Sequence, residues 1–171
     1  MNLMRKLIRT LFISLFLAAS VAPVFAAANP YGGVAVTPPA PTEKIFTVSN
    51  GSTVKEYSMN DLLKKNSVTL KIYEPFVKKQ QTFRAIPLST FLIDAKISSK
   101  STIKTIALND YVYANTAGNF LKANAYIAIQ LSNKPIAYDQ GGPIRIIFPS
   151  DSTWAKNLDP WNWSLRSIVV K

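Results

Sequence analysis

Six aromatic side chains stand beside polar or proline residues, and they are the residues best suited to binding a ligand. They are Tyr111, Tyr113, Tyr138, Trp154, Trp161 and Trp163. Flat aromatic faces next to amide and carboxylate groups suit a planar heterocycle, which is held by stacking and by hydrogen bonds in the plane of its ring. An aromatic of this kind, taken singly, more often belongs to the core or its rim than to a ligand contact.

A glycine-rich segment adds to this interpretation. Asp139–Pro143 (DQGGP) leads into the apolar run Ile144–Phe148, which contains Arg145. Two glycines ahead of a proline allow the backbone to approach a ligand closely. A plain tight turn uses the same residues, so both interpretations stay open.

The residue types that are missing restrict the chemistry further. The 171-residue chain has no His and no Cys. It therefore cannot form a Ser-His-Asp triad, a thiolate nucleophile, a zinc knuckle, a disulfide or an iron–sulfur cluster. The nine Asp and Glu residues form no tight pair in the sequence. A two-carboxylate hydrolase stays open, because folding sets the separation of ~5–10 Å that such chemistry uses.

The charge is strongly positive, with 20 Lys and Arg against 9 acids. These cations are scattered, and the only doublets are Lys64-Lys65 and Lys78-Lys79. No aromatic platform is interleaved with them, which favours a solvated surface over a nucleic-acid interface. We therefore expect no nucleic-acid partner. A positive surface outside the cytoplasm would instead meet an acidic protein face or anionic headgroups.

The first residues have the pattern of an export signal. Met1–Arg9 is basic and contains no acid, Thr10–Ala22 is almost entirely apolar, and small residues precede Ala26. This pattern predicts a signal peptide over residues 1–26 that is cleaved after Ala26. An uncleaved anchor is the alternative. Since the chain has no Cys, it cannot become a lipoprotein, and we expect it in the periplasm.

Composition predicts two further segments. Residues 27–42 contain four Pro, two Gly and no charge, which is typical of an extended, flexible lead-in. Residues 43–171 contain no second linker and no repeat, so they are predicted to form one domain.

Periodicity in that domain predicts more strand than helix. Val68, Leu70 and Ile72 alternate with polar neighbours, which is typical of a half-buried strand. A change of phase at Arg166–Ser167 predicts a bulge in the last strand. The predicted strands are Ile45–Val48, Val68–Tyr73, Thr102–Leu108, Tyr126–Leu131 and Ile144–Phe148.

Two short helices are predicted between the strands. Ser58 and Asp61 have the spacing of a helix cap for Met59–Lys65. Pro87 suits the first turn of a second helix, Leu88–Ala95. Strands and helices do not alternate regularly, so the predicted fold class is a strand-rich α+β domain.

Several stretches resemble one known family. The run Asn133–Pro149 (NKPIAYDQGGPIRIIFP) resembles the G-x-P-L…D-H-G-x-P-x-R-x-x-x-P segment of the sulfite-oxidase-type molybdopterin-binding domain. Val68–Glu74, Phe83–Leu92, Asn109–Tyr111 and Trp161–Trp163 resemble other segments of that family. The resemblance extends over most of residues 43–171 and implies the α+β fold of that domain.

The departures from the family pattern bear on cofactors. The position of the molybdenum-ligating Cys falls at or beside Ile72, and the His of D-H-G is Gln140. Neither side chain replaces a thiolate, so the resemblance implies no molybdenum and no catalytic cofactor. The Arg of the family pattern is present as Arg145, and the resemblance implies that it would bind a pterin-like or anionic group. The pattern is similar to small exported members that bind a free pterin and report it to a membrane-bound cyclic-di-GMP enzyme.

Three functions therefore remain. The chain is a non-catalytic binding protein for a pterin-like heterocycle, a degenerate or accessory molybdopterin oxidoreductase-like protein, or an envelope protein-interaction module without a small-molecule ligand. For the first, the expected ligand-binding residues are Asp110, Tyr111, Asn115, Tyr138, Asp139, Gln140, Arg145, Trp154 and Trp163.

The expected partner of such a binding protein is the periplasmic domain of an inner-membrane sensor. Six lysines in the first part of the domain would steer an acidic partner if they share one face. The alternative is that they only keep the domain soluble and protect strand edges. They are Lys44, Lys55, Lys64, Lys65, Lys78 and Lys79.

Overall fold

The computed structural model describes residues 37–171, so the predicted signal peptide and most of the lead-in lie outside the described residues. Over this range the chain forms nine strands and three short helices. The strands are β1 Lys44–Asn50, β2 Thr53–Ser58, β3 Val68–Glu74, β4 Lys79–Pro87, β5 Thr102–Ala107, β6 Val112–Thr116, β7 Tyr126–Leu131, β8 Arg145–Ile147 and β9 Leu165–Val170. The helices are α1 Met59–Leu63, α2 Leu88–Asp94 and α3 Ala117–Lys122.

The strands form two sheets. The larger has the order β2-β1-β9-β5-β6 and the smaller the order β3-β4-β7-β8. Every pairing is antiparallel except that of β1 with β9. The two sheets are joined where β8 meets the start of β9: Ile146 N donates to Asn162 O at 2.9 Å, and Leu165 N donates to Ile144 O at 2.9 Å.

A continuous apolar core lies between the sheets and the helices. It contains alternate residues of the strands, such as Val48, Phe83 and Ile127, together with Leu88 and Phe120 from α2 and α3. Burying one such large side chain stabilises the fold by about 1.5–3 kcal/mol. No helix within residues 37–171 is long and apolar enough to cross a membrane.

The predicted strand-rich character is confirmed, but the helical part of the expected α+β class is small. The described residues are mostly β, because each of the three helices is only five to seven residues long and serves as a connection between strands. The sequence prediction did not include β2, β4, β6 and α3. Strands β2 and β4 carry runs of charged and amide side chains, which obscure the alternation of apolar residues.

The predicted elements are confirmed with small changes in their ends. Ser58 and Asp61 form a capping box at the start of α1, with Asp61 N donating to Ser58 Oγ and Ser58 N donating to Asp61 Oδ2. Pro87 is the last residue of β4 and occupies the N-cap position of α2 without a cap hydrogen bond, one residue before the first turn in which it was predicted. The bulge in β9 is confirmed, since Ile106 pairs with Ser167 and the next pair skips Arg166.

Candidate functional site

Three connections between strands meet around a cavity of about 340 Å³. They are the β3–β4 turn, the β5–β6 turn and the long loop between β8 and β9. Ligand sites in proteins enclose roughly 300–1,000 Å³, so the space suits a small molecule. We call it the aromatic cleft; its lining residues are Phe76, Ala107, Asn109, Tyr111, Leu158, Asp159, Trp161 and Trp163.

Four aromatic side chains form the walls of the aromatic cleft. Trp163 and Phe76 contact each other, with ring centroids 5.0 Å apart and planes at 58°. Trp161 is buried, and its Nε1 donates to Trp154 O at 3.0 Å. Tyr111 is 43% exposed, and its hydroxyl donates to Asp159 O at 3.0 Å. The cleft therefore combines fixed aromatic faces with aromatic edges that reach solvent.

The backbone around the two tryptophans is held from both sides. Buried Ser164 has a φ of 49°, in the left-handed region. Its N–H donates to Gly141 O at 2.7 Å, while its carbonyl accepts from Leu108 N at 2.8 Å. Asn162 is buried and donates through Nδ2 to Thr105 O at 3.0 Å. These bonds fix the segment that places Trp161 and Trp163 in the cleft wall.

The polar groups of the aromatic cleft come from Asn109 and Asp159. Asn109 Oδ1 accepts from Tyr111 N at 3.2 Å, which holds the β5–β6 turn. Burial, and then the negative charge of Asp159, raise the pKa of the Tyr111 hydroxyl. A carboxylate and an amide beside aromatic faces can accept hydrogen bonds from the edge of a stacked heterocycle. Within residues 37–171 no group of three or more acidic, His or Cys side chains could hold a metal ion.

A buried ion pair lies behind one wall of the cleft. Arg145 Nη2 is 2.5 Å from Glu74 Oε1, and both side chains are at most 2% exposed. The guanidinium carbon of Arg145 is 4.1 Å from the centroid of the Trp163 ring. Arg145 does not line the cavity, so in this arrangement its charge is directed to Glu74 and to Trp163.

Of the residues predicted to bind a ligand, Tyr111 and Trp163 line the aromatic cleft. Asp110 lies beside it in the β5–β6 turn, where its exposed carboxylate accepts from Arg166 at 2.9 Å. The structure therefore brings together the two aromatics and one flanking acid from the predicted set.

Other predicted residues have positions that the fold itself explains. Asn115 Oδ1 accepts from Thr116 N and from the Asn119 side chain at the start of α3. Trp154 is partly buried and packs against the core through contacts with Tyr113, Phe120 and Phe148. These contacts place Asn115 and Trp154 outside the cleft lining.

The predicted residues Tyr138, Asp139 and Gln140 form one short 3-10 turn ahead of β8. Gln140 O accepts from Arg145 Nη1 at 3.0 Å, while its side chain is exposed. Burial, and then the charge of Glu43, raise the pKa of the Tyr138 hydroxyl. This turn supports Arg145 through its backbone and does not line the aromatic cleft.

Several lining residues were missing from the predicted set. Trp161 and Asp159 carried a signal, since both stand in a polar, proline-containing loop. Phe76 carried none, because its place beside Trp163 depends on the unpredicted strand β4. Ala107, Asn109 and Leu158 were likewise missed.

The six lysines fall into two groups. Lys44 and Lys65 pair with Asp61 and Asp94, each at 2.7 Å, near α1. Lys55 lies on β2 and Lys64 follows α1. Lys78 belongs to the β3–β4 turn, which also carries Phe76 of the aromatic cleft, and Lys79 is the first residue of β4.

Comparison with known proteins supports a distant relationship of fold. No family model matches the sequence, and no curated protein matches it. Among solved structures, the sulfane dehydrogenase SoxCD from Paracoccus pantotrophus aligns with a TM-score of 0.59 and 10% sequence identity. The alignment covers 78% of this chain and 39% of the SoxCD chain, so the likeness extends to well under half of that protein. The shared feature is a sulfite-oxidase-like fold.

Proposed function

We propose that the chain is an exported, non-catalytic binding protein that holds a pterin-like heterocycle in the aromatic cleft. The observation that carries the proposal is the combination of aromatic walls from Phe76, Tyr111 and Trp163 with the acceptors Asn109 and Asp159 in one small cavity. A pterin is flat, and it presents N–H donors along its amino-pyrimidine edge. It therefore matches both the shape and the hydrogen-bonding character of the cleft.

The energies of such contacts are sufficient for specific binding. Aromatic pairs contribute about 0.5–1.5 kcal/mol beyond the area that they bury. A hydrogen bond from the ligand to the Asp159 carboxylate would add about 1.5–3 kcal/mol, because one partner is charged. In this proposal Trp163 or Tyr111 stacks on the ring, and Asp159 accepts from its amino-pyrimidine edge.

The residues present do not fit thiolate-bound molybdenum. Ile72 is only 1% exposed, packs into the core and offers no donor atom, and the chain has no Cys. The proposed function therefore includes no redox step, and the proposed ligand is a free heterocycle that is bound and released unchanged.

The proposal extends to a partner, the periplasmic domain of a membrane-bound cyclic-di-GMP enzyme. The rim of the aromatic cleft leaves Phe76, Leu108, Tyr111 and Leu158 partly exposed. Exposed apolar groups around a cavity are typical of surfaces that contact a second molecule. A ligand seated between them would change the surface that the partner meets.

Calorimetry and tryptophan fluorescence with neopterin and biopterin test the binding proposal. We expect saturable heat and quenching for the wild-type chain, and weaker binding for Asp159→Asn and Tyr111→Ala. Tyr73→Ala is a matched control, since Tyr73 has similar exposure on the outer face of β3 and does not line the cleft. Absence of heat and of quenching with every pterin would refute the proposal.

Crosslinking in the native envelope tests the partner. We expect recovery of one inner-membrane cyclic-di-GMP enzyme, with a yield that depends on added pterin and falls when Lys78 and Lys79 beside the cleft are changed to Glu. Recovery of abundant porins alone, unaffected by pterin or by charge reversal, would contradict the sensor hypothesis.

A further inference from the structure

We infer that Glu74 and Arg145 are positioning residues, which hold Phe76 and Trp163 in the arrangement that lets the aromatic cleft bind. Neither charged residue lines the cavity, so both act through the aromatic side chains. The binding readout of this inference rests on the proposed function, whereas its structural readout does not.

The guanidinium of Arg145 packs over the ring of Trp163 and supports it. Its guanidinium carbon lies 4.1 Å from the centroid of the indole ring, a distance at which a cation and an aromatic face attract each other. Its Nη1 also donates to Gln140 O at 3.0 Å, which fixes the turn that precedes Gly141. Gly141 packs so closely that an added Cβ would lie 2.6 Å from Trp163 Cδ2. The indole is therefore held by the guanidinium and by the backbone that the same guanidinium anchors.

Glu74 extends the connection to the second aromatic. Its Oε1 accepts from Arg145 Nη2 at 2.5 Å, and its Oε2 accepts from Val77 N at 2.7 Å. Val77 follows Phe76 in the β3–β4 turn, and the Phe76 ring contacts Trp163 with centroids 5.0 Å apart. One carboxylate thus links the turn that carries Phe76 to the arginine that supports Trp163.

Stability alone does not account for such a pair. Removing both charges from water carries a large desolvation cost, and replacing a buried ion pair by apolar residues of similar size is often neutral or stabilising. An apolar pair would fill the same space. It would not make the hydrogen bonds to Val77 N and Gln140 O or the contact of a cation with Trp163. Replacing the pair by apolar residues should therefore keep the stability of the fold but disturb the positions of Phe76 and Trp163 in the cleft.

The deciding variant is the double change Glu74→Met/Arg145→Met. We expect its unfolding temperature to stay near that of the wild type, while its affinity for neopterin falls by about tenfold, equivalent to ~1.4 kcal/mol. We also expect its near-ultraviolet circular dichroism to lose the band assigned to Trp163 with a Trp163→Phe variant. Lys65→Met/Asp94→Asn is the matched control. It removes the 2.7 Å ion pair between Lys65, which follows α1, and Asp94 at the end of α2. Its affinity for neopterin and its Trp163 band should both be unchanged.

Wild-type affinity together with an unchanged Trp163 band in the double variant would overturn the inference. If that variant does not fold, Arg145→Lys replaces it, since a lysine keeps the charge opposite Glu74 but lacks the planar group that contacts Trp163 and Gln140 O together; unchanged spectra there would equally overturn it. If the wild-type chain binds no pterin, the proposed function fails. The comparison of Trp163 spectra then still decides the inference.

Discussion

The aromatic cleft and the surface formed by β2, α1 and α2 arrange charge and aromatic rings in opposite ways. At the second surface, Phe46, Tyr57 and Phe91 pack together in the core. Lys65 lies over the rings of Tyr57 and Phe91 and pairs with Asp94, and the two charged side chains are 23% and 33% exposed. At the cleft, the Glu74–Arg145 pair is buried and Phe76 and Tyr111 reach solvent.

The arrangement at α1 and α2 is the one that folding by itself favours. Aromatic area is removed from water, and charges stay hydrated. The arrangement at the cleft buries two charges, which carries a desolvation cost, and leaves aromatic area exposed, which contributes no hydrophobic stabilisation. This difference is the physical basis for the binding that we propose at the cleft, since stability alone does not account for the arrangement.

The largest expected effect comes from removing one charge of the buried pair. Arg145→Met leaves the Glu74 carboxylate without its cation, so the free energy of unfolding should fall by about 3–5 kcal/mol. Lys65→Met removes a cation from the partly exposed pair and should cost no more than about 1 kcal/mol. Urea denaturation of both variants measures the difference. Equal losses of unfolding free energy in Arg145→Met and Lys65→Met would show that the buried pair and the partly exposed pair do not differ in energy.

A smaller effect is expected at Gly141, which contacts the back of Trp163. Gly141→Ala adds a clash with the indole to the strain of a φ of +80°, for a combined loss of about 2–4 kcal/mol. Gly51→Ala is the control: Gly51 has a φ of +57° with no atom within 4 Å of an added Cβ, so only the backbone strain of about 1 kcal/mol applies. Thermal unfolding compares them, and a loss at Gly51 as large as that at Gly141 would contradict the close packing.

The partly exposed Lys65–Asp94 pair should make the free energy of unfolding depend on pH in the acid range. The hydrogen bond from Lys65 lowers the pKa of Asp94 below its usual value, with desolvation opposing the shift. The pair therefore stabilises the fold above the unfolded-state pKa, about 3.9, and that contribution is lost as the pH falls through the lower folded-state pKa. In Asp94→Asn, the free energy of unfolding should therefore depend less on pH, and the acid-dependent part that is lost should be up to about 1 kcal/mol. Denaturation at a series of pH values measures this. If the free energy of unfolding of the variant fell as steeply as that of the wild type between about pH 5 and pH 2, the range of carboxylate titration, the prediction would be wrong.

The smallest effect is expected for Asp110→Asn, at the edge of the cleft. Asp110 and Arg166 have side chains 79% and 47% exposed, and such pairs contribute within about 0.5 kcal/mol. Denaturation at low and high salt measures it. A loss comparable to that of Arg145→Met would mean that position in the cleft region, rather than burial, sets the energy of its ion pairs.

Local patterns predicted the parts of the fold that depend on neighbouring residues. The alternation in Val68–Tyr73 and the cap formed by Ser58 and Asp61 need only a few residues to be recognised, and both are confirmed. The bulge at Arg166 was visible because two apolar phases meet there. The strand-rich character was predicted, but individual strands such as β4 were missed because they present amides and charges to solvent.

The candidate site was predictable only in part, for a physical reason. Tyr111 and Trp163 were visible as aromatics in polar surroundings. Glu74 and Arg145 are 71 residues apart, and no local pattern shows that one carboxylate pairs with one particular guanidinium. Trp154 has the same polar sequence surroundings as Trp163, yet it packs against the core, because the path of the loop between β8 and β9 decides which ring faces the cavity.

The central place of β9 in the larger sheet has a consequence for how the chain is made. Strand β9, Leu165–Val170, lies between β1 and β5, which are not paired with each other. Until the ribosome has released residues 165–170, the larger sheet therefore consists of two separate hairpins, β1–β2 and β5–β6. Isolated two-stranded hairpins are at best marginally stable in water. The larger sheet is thus expected to form only after β9 has emerged, whereas all four strands of the smaller sheet, β3-β4-β7-β8, precede β9 in the chain.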